Sequence, residues 1–335
     1  MEKIGRQTFG FEENIYVQGT GTVVGPLEAK GPLRNSFDRC YDDLYIDEEN
    51  WELAERKLMK EAVEIALPHA QKTKEEIDLF LAGDLLNQIA TSNYFARELN
   101  LPFLGVFSAC ATSMETTALA SLFVECGFAN YALAATSSHR STAERQYRYP
   151  TEFANQRPET ATTTVTGAGA IVVGKRRATI RIKEVTIGKI VDMGLKTPFD
   201  LGAAMAPAAA DTIYTHLEET KREATYYDLI VTGDLSRVGS AILRKLLQEK
   251  GIWLGTNYDD CGIIIFDPEQ PVFAGGSGAA CSAVVTFGHL MKEMERGRIE
   301  RMLVVATGAL HNSLMIQQGE SIPCIAHAVS FEREG

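Results

Sequence analysis

The sequence contains no apolar run approaching the roughly 18 residues that a membrane span requires. Its opening, MEKIGRQTFGFEEN, lacks the apolar stretch of a secretory signal, so no export is expected. Positive charge is in short supply. The 33 Lys and Arg against 44 Asp and Glu give a net charge of −11. Nonspecific binding to nucleic acid needs basic residues to displace counterions, so nucleic acid is not an expected partner. A small anion held in a local basic pocket stays compatible with that balance. Cysteine is sparse. Cys40, Cys110, Cys126, Cys261, Cys281 and Cys324 are scattered, with no CxxC pair and no metal-ligand spacing. Free thiols in a reducing compartment are expected, most of them as small core residues, with no metal site. What is present is an ordinary globular mix, 45% hydrophobic and 23% charged over 335 residues. That excludes a disordered chain or a coiled coil, and allows one large domain or two fused halves.

Helices and short apolar strands alternate along the chain. In Trp51–Ala70 the apolar Leu53, Ala54, Leu58, Ala62, Ile65 and Ala66 fall at helical spacing. Asp78–Gly83 reads as a short buried strand. A helix capped by Thr91 or Ser92 runs to about Leu99, followed by a second buried strand over Pro102–Phe107. Thr112–Cys126 reads as a helix stopped by Gly127, and Tyr131–Thr136 as a strand. This alternation predicts an α/β fold with largely parallel central pairing.

The second half repeats the first. Asp78-Leu79-Phe80-Leu81-Ala82-Gly83-Asp84-Leu85 and Asp228-Leu229-Ile230-Val231-Thr232-Gly233-Asp234-Leu235 share the pattern DLxxxGDL. Ser108-Ala109-Cys110 leads into a helix, then Gly127 and a strand. Gly278-Ala279-Ala280 leads into a helix, then Gly297 and the strand Met302–Thr307. The alternating segments Ile15–Val24 and Ala178–Ile187 open the two halves. Three matches in one order predict a duplication into halves 1–176 and 177–335, joined near Lys175–Ala178. Shared α/β geometry without common ancestry is the competing account. In such folds ligands bind where strand carboxyl ends meet helix N-termini. The expected site is therefore lined by Asp84, Cys110, Asp234 and the turn Ala274–Gly278, which includes Gly276. Residues Gly308–Cys324, with His311, are placed to close over it.

Cys110 carries the chemical signal. In Gly105-Val106-Phe107-Ser108-Ala109-Cys110-Ala111-Thr112-Ser113 it sits between a strand and a helix start. There the helix dipole and free N–H groups stabilise a thiolate or a bound anion. The bland alternative is a small buried cysteine filling a tight turn. These residues, with Thr164-Val165-Thr166-Gly167-Ala168-Gly169-Ala170, Gly275-Gly276-Ser277-Gly278 and Leu303–Gly308, resemble the thiolase and ketoacyl synthase superfamily. The resemblance implies two similar halves in a layered α-β-α-β-α fold, forming a homodimer.

The same resemblance implies catalytic partners that this chain does not carry. Condensing enzymes of that superfamily use His with Asn, or His with a second Cys, to activate the thiol. One partner would follow Leu229–Val231, where this chain has Gly233-Asp234-Leu235-Ser236. The other would lie in the glycine-rich turn, which here holds neither His nor Asn. Cys324 stands where the thiolase second cysteine would fall. Of the six histidines, His69, His216 and His289 read as structural, while His139, His311 and His327 remain able to approach Cys110. Without its partners a cysteine loses effects worth roughly 10²–10⁴-fold each, so no enzymatic activity is expected.

The whole chain most resembles the stage V sporulation protein AD family of spore-forming bacteria. The residues that carry this are Gly19-Thr20-Gly21-Thr22-Val23-Val24-Gly25-Pro26, Ala82–Ile89, Phe107–Ser113 and Gly319–Val329. That resemblance implies a non-enzymatic protein, without a cofactor, that binds dipicolinic acid and serves its uptake into the developing spore. It also implies action with the other stage V sporulation A proteins, at the inner membrane without spanning it. A flat aromatic dianion would set one carboxylate at the helix start beside Cys110. The other would meet a cation, for which Arg140, Arg145, Arg148 and Arg157, interleaved with Tyr147 and Tyr149, are candidates against a solvated surface excursion. Asp84 and Asp234 repel a bare dianion but suit a calcium–dipicolinate chelate. A turn aspartate capping its own loop is the alternative for each. Asn87 and Gln88 are candidate donors to a carboxylate, and Ser92 either joins them or caps its helix. The runner-up function is a Cys110-dependent acyltransferase or thiolase-type enzyme acting on acyl-CoA, with His139, His311 or His327 as base.

Overall fold

Asn50 starts the first long helix: its side chain accepts from Leu53 N–H at 2.9 Å, satisfying one orphan donor of helix α1 (Trp51–His69). The computed structural model describes residues 2–147 and 156–334. Through the first half run strand β1 (Thr8–Val24), α1, β2 (Leu79–Gly83), α2 (Ala90–Leu99), β3 (Phe103–Gly105) and α3 (Thr112–Glu125). Strand β4 (Tyr131–Ser138), α4 (Arg140–Tyr147) and β5 (Gly167–Gly174) complete it. The second half holds β6 (Ile180–Thr186), α5 (Leu201–Thr220), β7 (Leu229–Thr232), α6 (Ser236–Glu249) and β8 (Tyr258–Asp260). Helix α7 (Ala279–Val284) continues through a π-helical stretch, Val285–Leu290, to Glu295. Strand β9 (Arg301–Ala309), the short α8 (Ser313–Gln317) and β10 (Cys324–Arg333) follow.

The strands lie in the order β8-β7-β9-β10-β6-β1-β5-β4-β2-β3. This order reads alike from either end, with β1 and β6 side by side and antiparallel at its centre. Asp78 and Asp228 do the same work in the two halves. The first accepts from the N–H groups of Asn130 and Tyr131 at 2.7 and 3.3 Å, the second from Glu300 and Arg301 at 2.9 and 2.8 Å.

The expected parallel centre is corrected. Along this order only the outer pairs β2·β3, β2·β4, β7·β8 and β7·β9 are parallel. The five pairs from β9 to β4 through the middle are antiparallel. The strand over Phe103–Gly105 is also not buried, because it ends the sheet; Leu104 is 40% exposed. Helix α2 is not capped by Thr91 or Ser92. It begins at Ala90, after Ile89 in left-handed backbone.

Three apolar cores explain the layers. Leu58 and Ala62 of α1 pack on Phe80, Leu133 and Val172, on the outer face of the first half. Met205, Ala209 and Ile213 of α5 pack on Ile230, Leu303 and Ala328, on the outer face of the second. Between them, Met114 and Ala118 of α3 and Cys281 and Val284 of α7 meet Ala134, Ile171, Val304 and Val329. Neighbouring residues such as Leu133 and Ala134 thus enter different cores, as period-two alternation demands. With both faces covered, the strands read as continuous apolar runs. The central helices α3 and α7 begin where the two halves meet, and the site lies at their N-termini.

Candidate functional site

The turn before α3 is built from close contacts. Ala109 adopts φ 50°, left-handed backbone that a residue with a Cβ holds only under constraint. Thr112 Oγ1 donates to Ala109 O at 2.7 Å and accepts from Ser108 N–H at 3.1 Å. Strand β9 presses from behind: a Cβ on Gly308 would stand 2.1 Å from the Ser108 carbonyl oxygen. Cys110 is thereby held at the start of a buried helix, on the wall of a cavity of about 50 Å³. Leu85, Phe107, Ala109, Ala143, Leu201 and Ala309 form its apolar surface. Tyr147, Thr164, Ser277 and His311 bring polar groups, and the Gly278 backbone closes one side. Gly278 has φ 110°, and a Cβ there would lie 2.9 Å from Ser138 Oγ. The Tyr147 hydroxyl donates to Leu85 O, and its ring meets that of His311 edge-on at 5.9 Å. Ser313 Oγ donates to Gln146 O at 3.2 Å, so the segment after β9 does lie against α4 beside the cavity.

Of the residues singled out in the sequence, Cys110 and His311 line this cavity together. Asp84 and Asp234 are fully buried and stand behind its wall. Asp84 accepts from Leu86 N–H at 2.9 Å, and from Ser92 N–H and Oγ at 2.8 and 2.7 Å. Asp234 accepts from Gly278 N–H at 3.0 Å and Thr307 Oγ1 at 2.6 Å. Asp234 thus braces the wall residue Gly278, Asp84 braces the loop that carries Leu85, and neither aspartate is among the lining residues. Ser92 is buried on Asp84. Asn87 and Gln88 are exposed and outside the lining; Asn87 N–H donates to Gln146 Oε1 at 3.4 Å. Gly276 is buried, pairs with Thr163, and accepts from Ser236 Oγ at 2.7 Å, while its neighbours Ser277 and Gly278 reach the cavity.

Three buried histidines are held neutral. Gly188 N–H donates to His327 Nδ1, so Nε2 carries the proton toward Ser108 Oγ at 3.2 Å. Burial pushes His327 down to about 4. His139 accepts from Ser141 N–H and donates from Nε2 to Leu44 O at 2.7 Å; burial pushes it also to about 4. His216 lies between Thr186 Oγ1 and the Tyr227 hydroxyl and falls to about 3 by burial. Cys324 is a buried thiol in the second outer core, raised to about 12 by burial.

The candidate arginines divide. Arg145 pairs with Glu52 and sits 5.4 Å over the Trp51 ring. Arg157, with only 9% of its side chain exposed, stands 3.7 Å from Glu144 Oε1, which accepts from Thr164 Oγ1 at 3.0 Å on the cavity wall. Arg140 acts electrostatically on buried Glu28. Arg148 and Tyr149 lie outside the described residues. The sequence reading missed Thr164, Ala143, Leu201 and Ala309 as wall residues; none carries a chemical signal, and only tertiary packing gathers them. Among the described residues no cluster of His, Cys, Asp and Glu could hold a metal ion, and no helix is long and apolar enough to cross a membrane.

Solved structures share this architecture at low identity. The 3-oxoacyl-[acyl-carrier-protein] synthase III of Aquifex aeolicus is 15% identical, with a TM-score of 0.59 over 95% of this chain and 99% of its own. Cerulenin-bound OleA of Xanthomonas campestris is 17% identical, with a TM-score of 0.62 over 96% and 99%. These likenesses establish a thiolase-like fold. A curated relative, the stage V sporulation protein AD of Bacillus subtilis (strain 168), is 56% identical over all 335 residues and 99% of its own length. The sequence profile of the stage V sporulation protein AD family matches residues 5–332, and the chain belongs to that family.

Proposed function

We propose that this chain is a receptor for dipicolinic acid, a non-enzymatic binding subunit supporting dipicolinate uptake into the developing spore. The observation that supports it best is the cavity at Cys110, which keeps a nucleophile's architecture without the expected partners. After β7, where the superfamily resemblance implies an imidazole or amide, stands Asp234, buried and bonded into the structure. In the glycine-rich turn stand Ser277 and Gly278. What is left suits an aromatic anion. Two long buried helices, α3 and α7, start at this cavity, and their dipoles favour negative charge there. Apolar walls flank the ring of a ligand, and Ser277, whose Oγ accepts from Thr162 Oγ1 at 2.9 Å, offers a hydroxyl donor; those of Tyr147 and Thr164 already donate to Leu85 O and Glu144 Oε1. Arg157 connects to this wall through Glu144 and Thr164.

The hydrogen bonding of Asp84 and Asp234 removes the reason for assigning them to calcium, so the free dianion is the species proposed. Titration with and without calcium tests this: equal affinity is expected, and a strong calcium requirement would restore the chelate. The protein would work with the other stage V sporulation A proteins at the forespore inner membrane, peripherally. The free edge of β3, with Leu104 and Phe107 exposed, supports assembly as a homodimer.

His311 favours a second reading, because it shares the cavity with Cys110: an acyltransferase or thiolase-type enzyme with that imidazole as base. Two measurements separate them. Calorimetric titration with dipicolinate is expected to show saturable binding. Incubation with acyl-CoA, followed by intact-mass measurement, is expected to leave Cys110 unmodified. No binding, together with an acyl adduct and turnover, would reverse the assignment.

A further inference from the structure

Behind the cavity wall lie two carboxyl groups with no ion-pair partner among the described residues. Glu55 of α1 is fully buried; it accepts from Ser137 Oγ at 3.0 Å and Thr142 Oγ1 at 2.8 Å. Asp84 is fully buried on Ser92 and Leu86. Asp84 directly precedes the wall residue Leu85, and Glu55 is bonded to Thr142, which directly precedes the wall residue Ala143. Gly83 pairs with Thr136 in the parallel register of β2 and β4, so Asp84 stands beside Ser137, the residue whose Oγ donates to Glu55. The hydroxyl of Tyr147 ties α4 to Leu85 O across the same place. Two carboxyl groups confined in one dry region cannot both ionise cheaply, so the pair retains a proton. Burial first, and then the charge of Asp84, hold Glu55 well above the usual carboxylate range; burial also raises Asp84.

We propose that the Glu55–Asp84 pair is a proton site linked to the cavity, so that an aromatic dicarboxylate binds only with the pair protonated. This rests on reading the cavity as an anion site. A dianion beside an ionised pair would face like charge at low dielectric; a retained proton removes that repulsion. Binding therefore draws a proton from solvent wherever the free pair has begun to ionise. Affinity is level at lower pH and falls by up to about tenfold per pH unit above, the slope set by the number of protons taken up.

The surrounding groups leave few competitors. Glu52 of α1 pairs with Arg145 of α4, and Glu144 of α4 faces Arg157. His139, at the end of β4, is neutral, and burial raises Tyr147 far out of range. Cys110 and His311 face the cavity itself and must be separated by experiment.

Calorimetric titration of the full chain with dipicolinate, in two buffers of different ionisation enthalpy, counts protons directly. At pH 8.5 the expected uptake is substantial, approaching one proton at about full linkage, and at pH 6.5 it is small. Cys110→Ser and His311→Gln are expected to weaken binding yet keep the proton taken up per ligand bound at pH 8.5, and Glu55→Gln to lose it, its affinity becoming level with pH. Asp84→Asn gives the same readout from the other member, should Glu55→Gln not fold. Intact binding with no uptake at pH 8.5 overturns the proposal while leaving the receptor reading standing. Uptake lost in Cys110→Ser but kept in Glu55→Gln assigns the proton to the thiol and also overturns it. Absence of binding at every pH overturns the receptor reading itself.

Discussion

Ser92 is the simplest residue to remove behind the cavity. Its Oγ is the one side-chain donor to Asp84 among the hydrogen bonds of that carboxylate. Ser92→Ala leaves a buried acceptor short of a partner, so it is expected to cost about 1–3 kcal/mol. Chemical denaturation checks this, and an unchanged midpoint would show that Asp84 finds another donor. Ser92 also shows how far residue types speak alone. A serine near a helix start reads as a cap, yet the helix begins before it and the hydroxyl turns inward. Asp84 and Asp234 were legible as strand-exit aspartates. Whether such a carboxylate meets its own loop or a ligand depends on where the loop's N–H groups point, which a sequence does not encode locally.

At the scale of elements, the Cys110 turn depends on strand β9. Gly308→Ala places a Cβ 2.1 Å from Ser108 O, a backbone atom that cannot rotate away. The turn must shift, and dipicolinate affinity is expected to fall roughly tenfold or more, with a stability loss of about 1–3 kcal/mol. Titration calorimetry and thermal denaturation measure the two effects; unaltered affinity would place the ligand away from this turn. The elements themselves were largely legible, since apolar periodicity reports helix or strand within a few residues. Trp51–His69 and Thr112–Glu125 match their expected spans closely. Pairing was not legible. Strands β5 and β10 are buried on both faces and read as the same apolar runs whether parallel or antiparallel, while the alternation of β1 and β6 names a buried face but no partner. The edge position of β3 was missed for a related reason: Phe103 and Leu104 are apolar, but nothing local says that no strand follows.

For the whole molecule, stability should vary with pH through buried groups of opposite kind. Burial raises Glu28 and Asp260 to about 7. Their contribution is full below the unfolded carboxylate range near about pH 4, and is lost as pH rises through about 7. His139, His216 and His327 are lowered, so their contribution is present above about pH 6.5 and lost as pH falls toward about 4. Glu55 is held above the usual carboxylate range as well, so between those limits three carboxyl groups oppose three imidazoles and the slopes nearly cancel. A broad plateau is expected from about pH 4.5 to 6.5, with a decline toward neutrality and above. Denaturation midpoints across pH test this, and Glu28→Gln should flatten the decline. A midpoint that climbs steadily to pH 8 would contradict it. Assembly belongs to the same scale: Leu104→Lys on the β3 edge is expected to shift a dimer to monomer in sedimentation analysis, and an unchanged mass would remove that edge from the interface.

The central claim is that the cavity at Cys110 receives a ligand and does not perform chemistry. A crystal structure grown with dipicolinate tests it most directly. The account predicts the intact ring against Cys110, Tyr147, Ser277 and His311, its carboxylates toward the starts of α3 and α7, and the thiol unmodified. A ligand seated elsewhere on the chain, with this cavity closed, would contradict it.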